Sequence, residues 1–197
     1  CFTLTPLSAQ QRQSQPVSFV KAADGIYEIR GGSGANGGCI IGDRNVLMID
    51  AKMDEASMRT VLAKVKELTP NPIAYVIDTH SDGDHVTGNR YYPADAVFIS
   101  HENCRAEMLL PGRDGAASIW NSPELAPYLP SVTFTDRMSI HLGSRVAELW
   151  HFGPGHTTGD AVVYFPAEKI AFIADQIMLG RPQLIHAYKG VATFGHV

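Results

Sequence analysis

Apolar residues in this chain fall in short runs broken by Gly, Pro, Asp and Asn, and the period within each run identifies the element. Ile26-Tyr27-Glu28-Ile29 alternates as a strand does, and Gly31 to Gly38 (GGSGANGG) reads as a flexible loop. Cys39 to Gly42 and Val46 to Asp50 are predicted strands around a turn at Gly42-Asp43-Arg44-Asn45. From Glu55 to Leu68 the apolar positions Met58, Val61, Leu62, Val65 and Leu68 line one helical face, and Pro70 closes the helix. Lys64 and Lys66 belong to its solvated face. Ile73 to Ile77 and Ala96 to Ile99 are predicted strands, and Glu102 to Leu110 a short helix. Pro111 to Pro130 reads as a mobile loop or insertion near a binding face, where Met108, Trp120 and Tyr128 line a pocket or plug the core. Strands follow at Val132 to Phe134, Ser139 to His141, Val146 to Trp150, Ala161 to Phe165 and Ile170 to Ile173. Strands, helix, strand, helix and then many strands predict an α/β or α+β layered domain.

The 197 residues suffice for one sizeable domain. An apolar fraction of 45% with 18% charged residues fits a globular chain with a core, and 9% aromatics argue against disorder. A net charge of −4 and a pI near 6.0 leave no basic footprint for nucleic acid. No apolar run is long enough to span a bilayer. Residues 1–18 read as a signal-peptide remnant and leader, with Leu7-Ser8-Ala9 as a small-residue cleavage site, which predicts a secreted or periplasmic protein. Cys1, Cys39 and Cys104 form no pattern, and Cys39 reads as a small core residue.

Chemistry concentrates in Thr79-His80-Ser81-Asp82-Gly83-Asp84-His85, directly after a predicted strand. In an extended stretch His80 and Asp82 project to one side. A turn at Gly83, where the backbone needs unusual dihedrals, would aim Asp84 and His85 at a second point a few ångströms away. One loop can thus feed two cations. A second island, Gly153-Pro154-Gly155-His156-Thr157-Thr158-Gly159-Asp160, bends around a single His, with Thr157 and Thr158 placed to orient the ring or hold a neighbouring carboxylate. Asp175 ends an apolar strand, where a carboxylate is costly unless charge-paired or metal-bound. His101 and His141 lie beside strands and carry no such context.

These residues, with Asp50 closing an early strand, resemble the metallo-β-lactamase superfamily from about residue 25 onward. The resemblance implies a four-layer αβ/βα sandwich of two mixed β-sheets with helices on the outer faces, over residues 19–197, with the C-terminal part missing. It implies two divalent ions, zinc first. His80, Asp82 and His156 would hold one, Asp84 and His85 the other, and Asp175 would bridge them. Asp50 and Thr157 would support the ligands. The family's further His is expected beyond Val197, since His186 and His196 stand close to Asp175 in sequence. Asp82 departs from the usual His. Three carboxylates facing two ions make a weaker Lewis acid and suit iron or manganese as well as zinc.

The implied activity is hydrolysis of an ester, lactone, thioester, lactam or phosphodiester by a water that the ions make acidic, with Asp84 as the catalytic carboxylate. The partner is a small-molecule substrate. The alternatives are a di-iron oxidoreductase on the same ligands and a non-catalytic metal-binding module.

Overall fold

The computed structural model describes residues 15–112, 114–178, 180 and 182–191. The predicted leader up to Ser14 and His196 lie outside these residues. In chain order the elements are β1 (Ser18–Ala23), β2 (Ile26–Arg30), β3 (Gly37–Ile41), β4 (Val46–Ile49), α1 (Glu55–Leu68), β5 (Ile73–Asp78), α2 (Gly83–Val86), β6 (Val97–His101), α3 (Glu102–Met108), β7 (Val132–Phe134), β8 (Arg137–His141), β9 (Val146–Trp150), β10 (Val162–Phe165) and β11 (Ile170–Phe172). β1 begins inside the predicted leader, and Ser18 pairs with Arg30. Its mostly exposed residues, at the edge of a sheet, carry little alternation to read.

Two sheets result. The first runs β1-β2-β3-β4-β5-β6-β7, antiparallel up to β4 and parallel from β4 to β7. The second runs β11-β10-β9-β8 and is antiparallel. Period-two alternation divides the first sheet's residues between two cores. Ile40, Leu47, Ile49, Ile77 and Ile99 face the second sheet and meet Ile140, Leu149, Val163 and Phe165. Cys39, Val46, Met48, Val76 and Phe98 face outward, where α1 covers them with Met58, Val61 and Val65. Each such side chain contributes about 1.5–3 kcal/mol by leaving water. Asp54 caps α1, its Oδ1 accepting from Ser57 N–H at 2.7 Å.

The Pro111–Pro130 stretch plugs rather than opens. Trp120 is 5% exposed and packs with Val86, Cys104, Met108 and Leu129 as a third cluster. Gly83 also differs from expectation. It starts the single turn α2 without a left-handed φ, because the polypeptide goes directly from Asp82 into a helical turn. A glycine that geometry does require is Gly88, where a Cβ would stand 1.8 Å from the Lys52 carbonyl oxygen.

Candidate metal centre

The C-terminal ends of parallel strands are where such sheets leave room for a site. Here Asp50 directly follows β4, and Thr79 and His80 directly follow β5. Asp50 takes φ +57°, a left-handed conformation that Asp tolerates better than most residues. This turn sends its buried carboxylate across to the next strand. Oδ1 accepts from Thr79 N–H at 2.8 Å, both oxygens lie within 3.0 Å of the Thr79 hydroxyl, and Oδ2 accepts from His85 Nδ1 at 2.8 Å.

That network sets ring tautomers. Since His85 Nδ1–H donates to Asp50, its Nε2 is left to face the site. The Thr79 hydroxyl donates to Asp50 and accepts from His80 Nδ1 at 3.1 Å, so His80 also presents Nε2. A carbonyl can only accept, so the 2.7 Å contact of His156 Nδ1 with the Leu184 oxygen puts a proton on Nδ1 and turns Nε2 toward Asp82. Ring centroids of His80 lie 4.0 Å from His85 and 4.9 Å from His156. His80 Nε2 and His85 Nε2 are buried and have no hydrogen-bond partner among the described residues.

The carboxylates surround these nitrogens. Asp82 Oδ2 is 3.0 Å from His156 Nε2 and 3.8 Å from His80 Nε2. Asp84 Oδ2 is 3.8 Å from His85 Nε2, its side chain half open to solvent. Asp175 follows β11 in a tight turn, past Ala174 at φ +46°. It stands between the two histidine groups, 3.5 Å from His85 Nε2 and 3.9 Å from His156 Nε2. All six residues read from the sequence as ligands therefore converge. Thr157 does not touch a ring. Its N–H and hydroxyl bind Asp160, at 2.6 Å for the hydroxyl, and the same carboxylate accepts from His156 N–H at 2.6 Å. Asp160 thus closes the turn that presents His156, and it is the carboxylate that Thr157 holds.

Two further residues arrive from a segment whose sequence carries no motif. His186, too near Asp175 in sequence to be expected here, brings Nε2 to 2.7 Å from Asp82 Oδ2, and its N–H donates to the His156 carbonyl at 3.0 Å. Lys189 Nζ lies 2.6 Å from Asp82 Oδ1. Ligand-type atoms fall into two compact groups, His80–His156–Asp175 and Asp82–His156–His186, each within 4.8 Å. Unpartnered buried imidazole nitrogens beside carboxylates are a donor set that fits divalent cations.

Electrostatics follow the same map. Burial opposes the Asp82 anion, but hydrogen bonds from His156 and Lys189 outweigh it and hold the carboxyl well below its usual range. Burial and the adjacent His85 push His80 well down. Burial also disfavours charge on His85, yet Asp50 and Asp175 raise it to about 10. Beside the cluster a cleft of about 590 Å³ opens between the glycine-rich loop and residues 170–175. Glu28, Asp50, Asp84 and Asp175 line it, with no Lys or Arg among the described residues of its lining.

This architecture has known counterparts. A crystal structure of the DIM-1 metallo-β-lactamase superposes with a TM-score of 0.64 at 15% identity, covering 81% of this chain and 70% of that one. The metallo-β-lactamase type 2 of Bacteroides fragilis is 23% identical over 167 residues, 81% of this chain and 62% of the relative. The 2,4-dinitroanisole O-demethylase subunit alpha of Nocardioides sp. (strain JS1661) is 25% identical over 146 residues, 72% of this chain and 40% of the relative. The chain thus spans between two fifths and two thirds of the lengths of these two sequence relatives. The family model described as metallo-beta-lactamase superfamily matches residues 30–191, from the start of the glycine-rich loop to the segment bearing His186 and Lys189. Fold, loop order and sequence agree, and the chain belongs to the metallo-β-lactamase superfamily.

Proposed function

We propose that this chain is a metal-dependent hydrolase acting on a small acyl compound: an ester, lactone, thioester or lactam. The carrying observation is the pair of buried, unpartnered Nε2 atoms of His80 and His85, set among three carboxylates at the mouth of a cleft. His80, Asp82 and His156 would hold one ion and Asp84 and His85 the other, with Asp175 between them and His186 joining the Asp82 side. Zinc suits the imidazoles, and the oxygen-rich remainder also suits manganese or iron. When bound, such ions acidify water and polarise a substrate carbonyl.

The chain's own residues supply the rest. Asp50 and the Leu184 carbonyl keep the His85 and His156 rings in the tautomers that expose Nε2. Asp84, beside His85 and half open to the cleft, takes the proton of the attacking water. Lys189 offsets the charge of Asp82 and limits repulsion among the carboxylates. Among the described residues lining the cleft, Glu28, Asp50, Asp84 and Asp175 give it an acidic rim that favours a substrate without negative charge of its own, which ranks acyl compounds above phosphodiesters.

The test is elemental analysis of the purified full chain, then hydrolysis of ester, lactone, thioester, lactam and phosphodiester probes, with Asp84→Ala in parallel. The expected result is at least one metal equivalent, turnover of an acyl probe, and a loss of about 10²–10⁴-fold in the variant. Metal-loaded protein without turnover, or an undiminished variant, would overturn the assignment. Iron content with oxygen uptake would replace it by the oxidoreductase reading.

A further inference from the structure

Helix α3 carries no proposed ligand, yet one of its side chains joins the segments that do. Glu107 keeps 6% of its side-chain exposure and uses both oxygens. Oε1 accepts from the Thr158 N–H at 3.0 Å and the Thr158 hydroxyl at 2.5 Å. Oε2 accepts from the Ser81 hydroxyl and lies 3.3 Å from Lys189 Nζ. Ser81 sits between His80 and Asp82, and Thr158 lies two residues after His156. Lys189 in turn reaches both the Ser81 hydroxyl and Asp82 Oδ1 at 2.6 Å. One buried carboxylate therefore spans the His80–Asp82 loop, the His156 loop and the Lys189 segment.

Two independent contacts seat the helix on the His156 loop. Asn103 Nδ2 donates to the Thr158 carbonyl at 3.0 Å. At Gly159 an added Cβ would stand 2.2 Å from the Cys104 backbone nitrogen, so loop and helix backbones meet where a side chain has no room. Burying a carboxylate among mostly neutral donors is unfavourable unless all of them are in place. Loss of one donor weakens the hold on the others, so the three segments keep their relative positions together.

We infer that Glu107 is a positioning residue that sets the spacing between the His80–Asp82 loop and the His156 loop, and with it the affinity for an ion held between them. The clamp itself stands on geometry alone, while its effect on an ion rests on the metal-hydrolase reading. Residues that orient metal ligands typically govern affinity 10–100-fold.

The test compares the full chain with Glu107→Ala, Glu107→Gln and Ser81→Ala. Co²⁺ affinity is read by competition with a chromophoric chelator, the Co²⁺ visible spectrum is recorded, and amide hydrogen exchange is followed in the metal-free proteins. Glu107→Ala is expected to bind Co²⁺ about 10–100-fold more weakly with an altered spectrum. Exchange should quicken over residues 79–86 and 155–160 but not in β4 or β5. Glu107→Gln keeps a carbonyl oxygen for Thr158 and an amide for the Ser81 oxygen, so it should recover most of the affinity. Ser81→Ala is the milder variant should Glu107→Ala not fold, and it should quicken exchange over 79–86 alone. Affinity within twofold of the parent in folded Glu107→Ala, or exchange that rises everywhere or nowhere, overturns the proposal. A parent chain that binds no Co²⁺ refutes the metal-hydrolase reading and the proposed effect on affinity, while the exchange pattern still decides the clamp.

Discussion

Asp50 offers the sharpest test of how the centre is held, because its three partners impose different demands. Replacing it with Ala would orphan the buried Thr79 N–H and His85 Nδ1–H, at roughly 1–3 kcal/mol each. Ala would also have to adopt φ +57°, at about another 1–2 kcal/mol. Together these come to about 3–8 kcal/mol, comparable with the lower part of an ordinary domain's stability of about 5–15 kcal/mol, so Asp50→Ala would report mainly on folding. Asp50→Asn is the informative change. Asn tolerates the left-handed backbone and fills the same space. The Thr79 N–H can only donate, so the amide oxygen must take the Oδ1 place and the amide nitrogen the Oδ2 place facing His85 Nδ1. His85 must then accept at Nδ1 and carry its proton on Nε2, the atom proposed to hold an ion. Folding should suffer by only about 1–2 kcal/mol, in the range of a single altered hydrogen bond to a charged group. Metal affinity should fall about 10–100-fold. Urea unfolding measures the first and chelator competition with Zn²⁺ the second. A folded Asp50→Asn protein that binds Zn²⁺ as tightly as the parent would refute the tautomer argument.

Two further predictions test the supporting structure. Lys52 is buried with Nζ on the Ala35 carbonyl of the glycine-rich loop, and burial lowers it from 10.5 to about 8. Between these values the unfolded chain binds the proton more tightly, so stability rises with pH across the window. The difference in unfolding free energy between parent and Lys52→Met should climb by about 3 kcal/mol from pH 8 to 10.5, and urea titrations showing a flat difference would contradict the burial argument. Trp120→Ala should lower the unfolding free energy by about 3–5 kcal/mol, because the indole fills the third core cluster. A loss under about 1 kcal/mol would return the Pro111–Pro130 stretch to the status of a loose loop.

Where local pattern and burial agree, the chain could be read directly. The spacing from Met58 to Leu68 marked α1 at Glu55–Leu68 because one face of a helix repeats every three or four residues. The runs around Leu47, Val76 and Phe98 marked strands of the parallel core. β1 escaped because an edge strand with few buried residues has little pattern to show. The ligand-type residues were also legible. His80, Asp82, Asp84 and His85 lie in one short loop, and His156 and Asp175 each stand where an apolar run gives way to polar or bent backbone.

What tertiary structure decided is how those groups are held. Glu107 looks in sequence like any acid on a short helix, Asp160 like a turn residue, and Lys189 and His186 like polar residues in an unpatterned segment. Asp160 binds within its own turn, but the partners of the others are distant: Ser81 is 26 residues from Glu107 and 108 from Lys189, and Asp82 is 104 from His186. Periodicity reports only which face of an element is buried, so the sequence by itself determined the elements, the layered class and the chemical types gathered near β5. Which nitrogen each His presents, and which acid faces an ion rather than a lysine, depend on hydrogen bonds between distant segments. Only the packing of both sheets and α3 brings those segments within hydrogen-bonding reach of one another.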